Sequence, residues 1–215
     1  MNEIITTKWL SENLDNKNLV IFDCSYFLTS EKKNPQKDYK EKHIKGAHFF
    51  NIEKISEKKS NFPNMAPDLK YFKKKIKNFN IHKKSKIITY GSENLIGPSR
   101  VWWMFKYFGF QNIFILNASL KKWISEKKPL TNKKTKNQKS TFNFIIDKSW
   151  LTDKNAILKN IRNKKQLIFD ARNNNRFQGL QNEPRKGLRS GHIPYSKNIF
   201  WKNITSNGEK ILSKK

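Results

Sequence analysis

The chain has 215 residues, with 45 Lys and Arg against 17 Asp and Glu, a formal charge of +28, and 36% hydrophobic residues. That length holds one large domain or two small ones, and 16 Phe, 6 Trp and 6 Tyr supply a core that disordered chains lack. The longest apolar runs, such as Val101 to Phe105, fall far short of the roughly 20 residues that span a membrane, and MNEIITTKWL holds no apolar signal segment.

In chain order, Thr7 to Leu14 reads as a short helix with Thr7 as its N-cap. Leu19 to Asp23, LVIFD, is a β-branched run of the kind that forms a buried parallel strand. Glu31 to Glu41 is a polar, Lys-rich excursion, and His43 to Ile52 joins a Gly turn to a second apolar strand. Asp68 to Phe79 carries Leu69, Phe72, Ile76 and Phe79 at helical spacing. Lys86 to Tyr90 is a third strand, followed by the polar loop Gly91 to Ser99 and a helix from Arg100 to Phe108 with Gly109 as its C′ residue. Asn112 to Leu116 is a fourth strand and Ser119 to Lys128 a further helix. Thr131 to Thr141 lacks large apolar residues and reads as an exposed linker. A strand at Phe142 to Ile146, a helix around Trp150 to Ile161 and a strand in Gln166 to Arg172 follow. Strands alternating with helices predict an α/β fold on parallel sheets.

Single Cys24 excludes an intramolecular disulfide and a paired-cysteine metal site, so a reducing, cytoplasmic setting is expected, with no metal and no cofactor. Six of the basic residues are Arg; the rest are Lys, scattered through nearly every segment. With heavy use of Asn, Ile and Phe, this is what A/T-rich codons produce, and it reads as a solvated lysine surface. Phosphate readers concentrate Arg, so nucleic-acid binding is not expected despite the charge; weak, salt-sensitive polyanion binding is the alternative.

The sequence also repeats. Ile21-Phe22-Asp23 returns as Ile168-Phe169-Asp170, and His43-Ile44 as His192-Ile193, each about 150 residues later and in the same order. A counterpart of the third strand would fall beyond Lys215, so the second copy is expected to be incomplete.

LVIFDCSYFL, HIKGAHFFNIE, RVWWMFKYFGF and ILNASLKKW in the first half, and IFDAR, NRFQG, NEPRKGLRSGHIP and KNIFW in the second, resemble the tandem-domain rhodanese family of thiosulfate and 3-mercaptopyruvate sulfurtransferases. The resemblance implies two α/β domains with central parallel sheets flanked by helices. Residues 1–130 would be the non-catalytic first domain, 131–145 a linker and 146–215 the N-terminal part of the second. It implies transfer of sulfane sulfur from 3-mercaptopyruvate or thiosulfate, a small anionic donor, through a cysteine persulfide to a thiol or cyanide-like acceptor. No membrane is implied. The nucleophilic cysteine would lie beyond this chain, so no catalytic residue is expected within it and the chain as it stands is expected to be inactive. The alternative is a non-catalytic, decayed rhodanese pair that binds anions, a protein or nucleic acid.

The same resemblance names two substrate-binding residues. Arg176, in NRFQG, matches the arginine that holds the donor's anionic end, and Arg185, in EPR, matches a second anion-binding arginine of the mercaptopyruvate branch. Arg172 and Arg189 read as structural or solvated, Cys24 as a buried, inert thiol, and His43 and His192 as structural. Glu53 and Asn64 stand where that branch places an Asp and a His as partners of a loop serine, and Asn64 cannot act as a general base. Tyr195 replaces the family's glycine after HIP.

Overall fold

Short runs that are apolar on both sides pair into a sheet covered on both faces. The structure, a computed structural model, describes residues 3–27, 31–58, 60–184 and 187–212, and divides into two compact units, residues 1–150 and 151–215. The strands of the first unit are β1 (Ile4–Ile5), β2 (Leu19–Asp23), β3 (His43–Ile44), β4 (Ala47–Phe49), β5 (Lys86–Gly91), β6 (Ile113–Ser119) and β7 (Leu130–Thr131). Five of them form one parallel sheet in the order β1-β6-β5-β2-β4, while β3 and β7 pair antiparallel.

The helices are α1 (Thr7–Glu12), α2 (Pro35–Glu41), α3 (Ile52–Ile55), α4 (Leu69–Ile76), α5 (Ile96–Tyr107) and α6 (Leu120–Ser125). Alternation along β2 sends Phe22 to one face and Ile21 to the other. On the first face Phe22 and Phe50 pack with Phe72 of α4 and Met104 and Phe105 of α5. Rings dominate there: Phe72 stacks on Phe108 at 3.9 Å and meets Phe105 edge-on at 5.5 Å. On the second face Ile21, Ile88 and Leu116 pack with Leu10 of α1 and Trp123 of α6.

Several boundaries differ from the sequence reading. Thr6, not Thr7, caps α1, accepting from Trp9 N–H at 3.1 Å. The excursion before His43 contains α2, capped by Asn34 with Pro35 in its first turn, a position where proline's missing N–H costs nothing. α5 begins at Ile96, because Gly97 and Pro98 fit its first turn. Residues 131–150 fall within the first unit, and the largely exposed stretch 131–141 is tied to it. Gln138 N–H donates to the Asn78 carbonyl at 3.1 Å, Ser140 N–H to Lys77 at 2.7 Å and Thr141 N–H to Ile81 at 2.7 Å. Backbone hydrogen bonds hold this polar stretch, and composition does not report them. Phe142 to Ile146 is not a strand; Phe144 is buried beside Phe72, Phe105 and Phe110 in the first unit's core.

The second unit opens with α7 (Lys154–Asn163), capped by Asp153, and continues through β8 (Phe169–Asp170), α8 (Asn174–Gln178) and β9 (Lys197–Asn198). β8 and β9 pair in parallel with Asp170 opposite Asn198, as Asp23 stands opposite Phe49 in the first unit. Among the described residues β8 has this one partner, whereas β2 has two. Phe169 is accordingly 54% exposed, while its counterpart Phe22 is fully buried. Tyr195 has φ 65°, the left-handed conformation that a glycine adopts without strain.

Gly97, in the first turn of α5, lies so close to β2 that a methyl group there would overlap the Cys24 carbonyl. Gly46 also needs a positive φ, +80°, but has open space around it. Gly97→Ala is therefore expected to cost the first unit about 3 kcal/mol or more, and Gly46→Ala about 1 kcal/mol. Urea midpoints of the two variants check this. Equal losses would contradict the close seating of α5 on the end of β2.

Candidate functional site

The carboxyl ends of β2 and β5 carry a buried polar cluster. Ser25 donates to Asp23 Oδ1 through its N–H at 2.9 Å and its hydroxyl at 2.5 Å, and Tyr90 OH also donates to this carboxylate. Ser92 N–H donates to Ser25 Oγ at 2.8 Å, which ties the loop after β5 to the end of β2. Burial pushes the Asp23 carboxyl above its ordinary value, and the Ser25 hydrogen bonds pull the other way. Cys24 follows on the other face, fully buried, its Sγ 3.5 Å from the Phe22 carbonyl. Burial, and then the neighbouring Asp23 charge, push its thiol well above the usual range. A thiol held protonated in this way is a poor nucleophile. The loop Gly91 to Ser99 itself offers Ser92, whose buried Oγ has no partner among the described residues, and no cysteine.

Glu53 sits exposed in the first turn of α3, and Asn64 sits at φ 58°, its Nδ2 donating to Tyr26 OH at 2.9 Å. The Arg100 guanidinium donates to the Asn64 carbonyl and lies 4.3 Å from the centre of the Trp103 ring. Asn64 thus serves as a fixed amide.

In the second unit the same strand end is built from ions. Asp170 Oδ1 accepts from Arg172 N–H at 2.9 Å, as Asp23 accepts from Ser25, and the Arg172 side chain then closes on the carboxylate at 2.5 Å. Arg172 reaches on to Glu183 at 2.7 Å, and Arg176 grips the same carboxylate through Nη2 at 2.6 Å and Nε at 3.2 Å. Glu183, with a side chain only 5% exposed, is thus held between two guanidinium groups. Arg172 holds Asp170 below the usual carboxylate range; Arg176, and then Arg172, do the same for Glu183. The two carboxylates balance the two guanidinium charges. Arg176, part-exposed, keeps Nη1 without a hydrogen bond to any described residue.

The repeated histidines make one device twice. His43 Nδ1 donates to the Tyr39 carbonyl at 2.6 Å and its ring lies on Tyr39 at 4.0 Å. His192 Nδ1 donates to the Phe177 carbonyl at 2.6 Å and its ring lies on Phe177 at 3.8 Å. Each clamp ties a turn before a strand to an Asn-capped helix, α2 or α8.

Of the two anion-binding arginines expected from the sequence, Arg176 stands in this ion cluster, and Arg185 lies outside the described residues. Arg189 is exposed. Arg172 is a structural residue in an ion pair, not a solvated one. Glu183 escaped the sequence reading, although an acid placed between arginines in an acid-poor chain was the available signal.

A family model described as a Rhodanese-like domain matches residues 6–126. The chain is 30% identical over 212 residues to a 3-mercaptopyruvate sulfurtransferase of Rattus norvegicus, covering 95% of this chain and 71% of the relative. It is 30% identical over 214 residues to a thiosulfate sulfurtransferase of Gallus gallus, covering 96% and 73%. The crystal structure of SseA from Escherichia coli, a 3-mercaptopyruvate sulfotransferase, matches 99% of this chain and 80% of its own with a TM-score of 0.88 and 27% identity.

Both carboxylates of the ion cluster have folded pKa values below their unfolded ones. Their contribution to the second unit is full above about pH 5 and fades as pH falls through the depressed folded values. Amide signals of residues 169–198 are therefore expected to weaken on acidification below about pH 4. Glu183→Gln should weaken them already at neutral pH and flatten the acid dependence. An unchanged acid profile in Glu183→Gln would mean that the cluster does not hold this unit.

Proposed function

The chain belongs to the rhodanese family, and on that premise we propose that it serves sulfane-sulfur transfer from 3-mercaptopyruvate or thiosulfate to a thiol or cyanide-like acceptor. The observation that carries this reading is the likeness to SseA over 99% of the chain. Residues 1–150 are the non-catalytic copy in it, and residues from 151 onward the N-terminal part of a second rhodanese-like domain. No helix among the described residues is long and apolar enough to cross a membrane. A reducing, cytoplasmic setting suits the free thiol of Cys24.

In the proposed reaction a cysteine thiolate attacks the donor's outer sulfur. The bond between that sulfur and the rest of the donor breaks and its electrons leave with sulfite, or with the enolate of pyruvate, which takes up the proton that the donor's thiol carried. The acceptor then attacks the outer sulfur of the persulfide and the cysteine returns as thiolate. Cys24 does not suit this role, being buried and held as a thiol. The nucleophile we assign to polypeptide outside these 215 residues, so the chain alone is inactive.

Arg176 we assign to the donor's anionic end. Glu183 takes its Nε and Nη2 and so aims the remaining Nη1 donors at a fixed angle. Because Asp170 and Glu183 neutralise the local pair of guanidinium groups, Arg176 contributes direction more than surplus charge. Arg185 is proposed to supply that charge and to favour a carboxylate donor.

The 215-residue chain is expected to release thiocyanate from either donor, with cyanide present, only at background rate. Turnover abolished by Cys24→Ser would make Cys24 the sulfur carrier and overturn the assignment. In a form carrying the cysteine loop, Arg176→Ala should raise KM for both donors by roughly tenfold, about 1.4 kcal/mol. Arg185→Ala should raise KM for 3-mercaptopyruvate by roughly tenfold to a hundredfold and for thiosulfate less. Unchanged KM values in both variants would remove the arginines from donor binding.

A further inference from the structure

At the outer edge of the first unit's sheet, α2, β4 and the 132–137 stretch line a cleft of about 400 Å³, within the size range of small-molecule sites. Thr135 Oγ1 donates to the Ala47 carbonyl at 2.7 Å, which pins the 132–137 stretch to β4. The loop Gly91 to Ser99, Glu53 and Asn64 do not line it.

Two imidazoles line the cleft. His43 spends Nδ1 on the Tyr39 carbonyl, while Nε2 is buried with no hydrogen-bond partner among the described residues. With Nδ1–H given to the Tyr39 carbonyl, Nε2 is the ring nitrogen left for a ligand. His48 on β4 is 8% exposed, its ring near Phe79 at 5.2 Å, and burial lowers its pKa to about 4, so it is neutral at neutral pH.

Around these imidazoles the lining alternates rings and cations. Tyr39 and Phe49 lie 5.5 Å apart, and Phe79 supplies another aromatic surface. Lys40, Lys54 and Lys134 also line the cleft, with no carboxylate among the lining residues. None of these three ammonium groups forms an ion pair among the described residues. In so basic a chain lysines alone would mark nothing. Their meeting with an unpartnered buried acceptor, aromatic surfaces and a formed cavity selects a ligand.

We propose that this cleft binds a heteroaromatic anion of mononucleotide size. Its ring packs against Tyr39, Phe49 and Phe79, an N–H on its edge donates to His43 Nε2, and its phosphate or carboxylate is held by Lys40, Lys54 and Lys134.

The chain has four histidines, so imidazole NMR signals report the site directly, with His82 and His192 as internal references. AMP added up to about 10 mM should move the ring signals of His43 and His48 and leave His82 and His192 in place. Adenosine should give the same pattern at least tenfold more weakly, and inorganic phosphate should leave His43 unmoved. The exposed double variant Lys54→Glu, Lys134→Glu should keep the amide spectrum of the fold and lose AMP affinity at least tenfold. Four outcomes would overturn the proposal: no movement of His43, equal movement of all four histidines, the same response to phosphate alone, or undiminished AMP binding by the double variant.

Discussion

A parallel strand buried on both faces needs a neighbour along each edge and a helical layer over each side. β2 is where this chain meets all four demands. β4 and β5 flank it, Phe22 enters the ring-rich layer beneath α4 and α5, and Ile21 enters the layer beneath α1 and α6. Everything at its carboxyl end follows from that enclosure. Asp23 is buried and must be satisfied by Ser25 and Tyr90, Cys24 is sealed, and Gly97 is the residue small enough to let α5 close over the strand.

The second unit repeats the strand but satisfies fewer of those demands. Its β8 keeps the parallel partner, the Asp with its turn and the histidine clamp. With Phe169 exposed, packing contributes less, and the polar cluster of the first copy becomes an ionic one of Asp170, Arg172, Glu183 and Arg176.

The sequence was most legible where burial writes a pattern. Leu19 to Asp23 and Lys86 to Tyr90 could be read as strands because β-branched runs that are apolar on both sides have few other homes, and the spacing of Leu69, Phe72 and Ile76 marked α4. The stretch after Leu130 was not legible. It is held by backbone hydrogen bonds to Asn78, Lys77 and Ile81, which leave no trace in composition, and Phe144 looks alike whether it fills a strand or plugs a neighbouring core. Arg176 was singled out through its motif, but its ion pair with Glu183 was not legible. Glu183 lies seven residues away, and only the turn of the chain after α8 brings the two together. The pairing of His43 with Tyr39 was equally hidden, although the repeat of His-Ile marked where to look.

The sealing of Cys24 gives the molecule a built-in clock. It is the one thiol in 215 residues, it has no exposed surface, and it sits where β2, β5 and the first turn of α5 meet. A reagent that alkylates thiols can reach it only when that junction parts, and no second cysteine blurs the signal. When reclosing is fast relative to alkylation, the labelling rate at a given reagent concentration measures the population of the opened first unit. A substitution or a ligand elsewhere in that unit that tightens or loosens the junction would be read at this single sulfur atom.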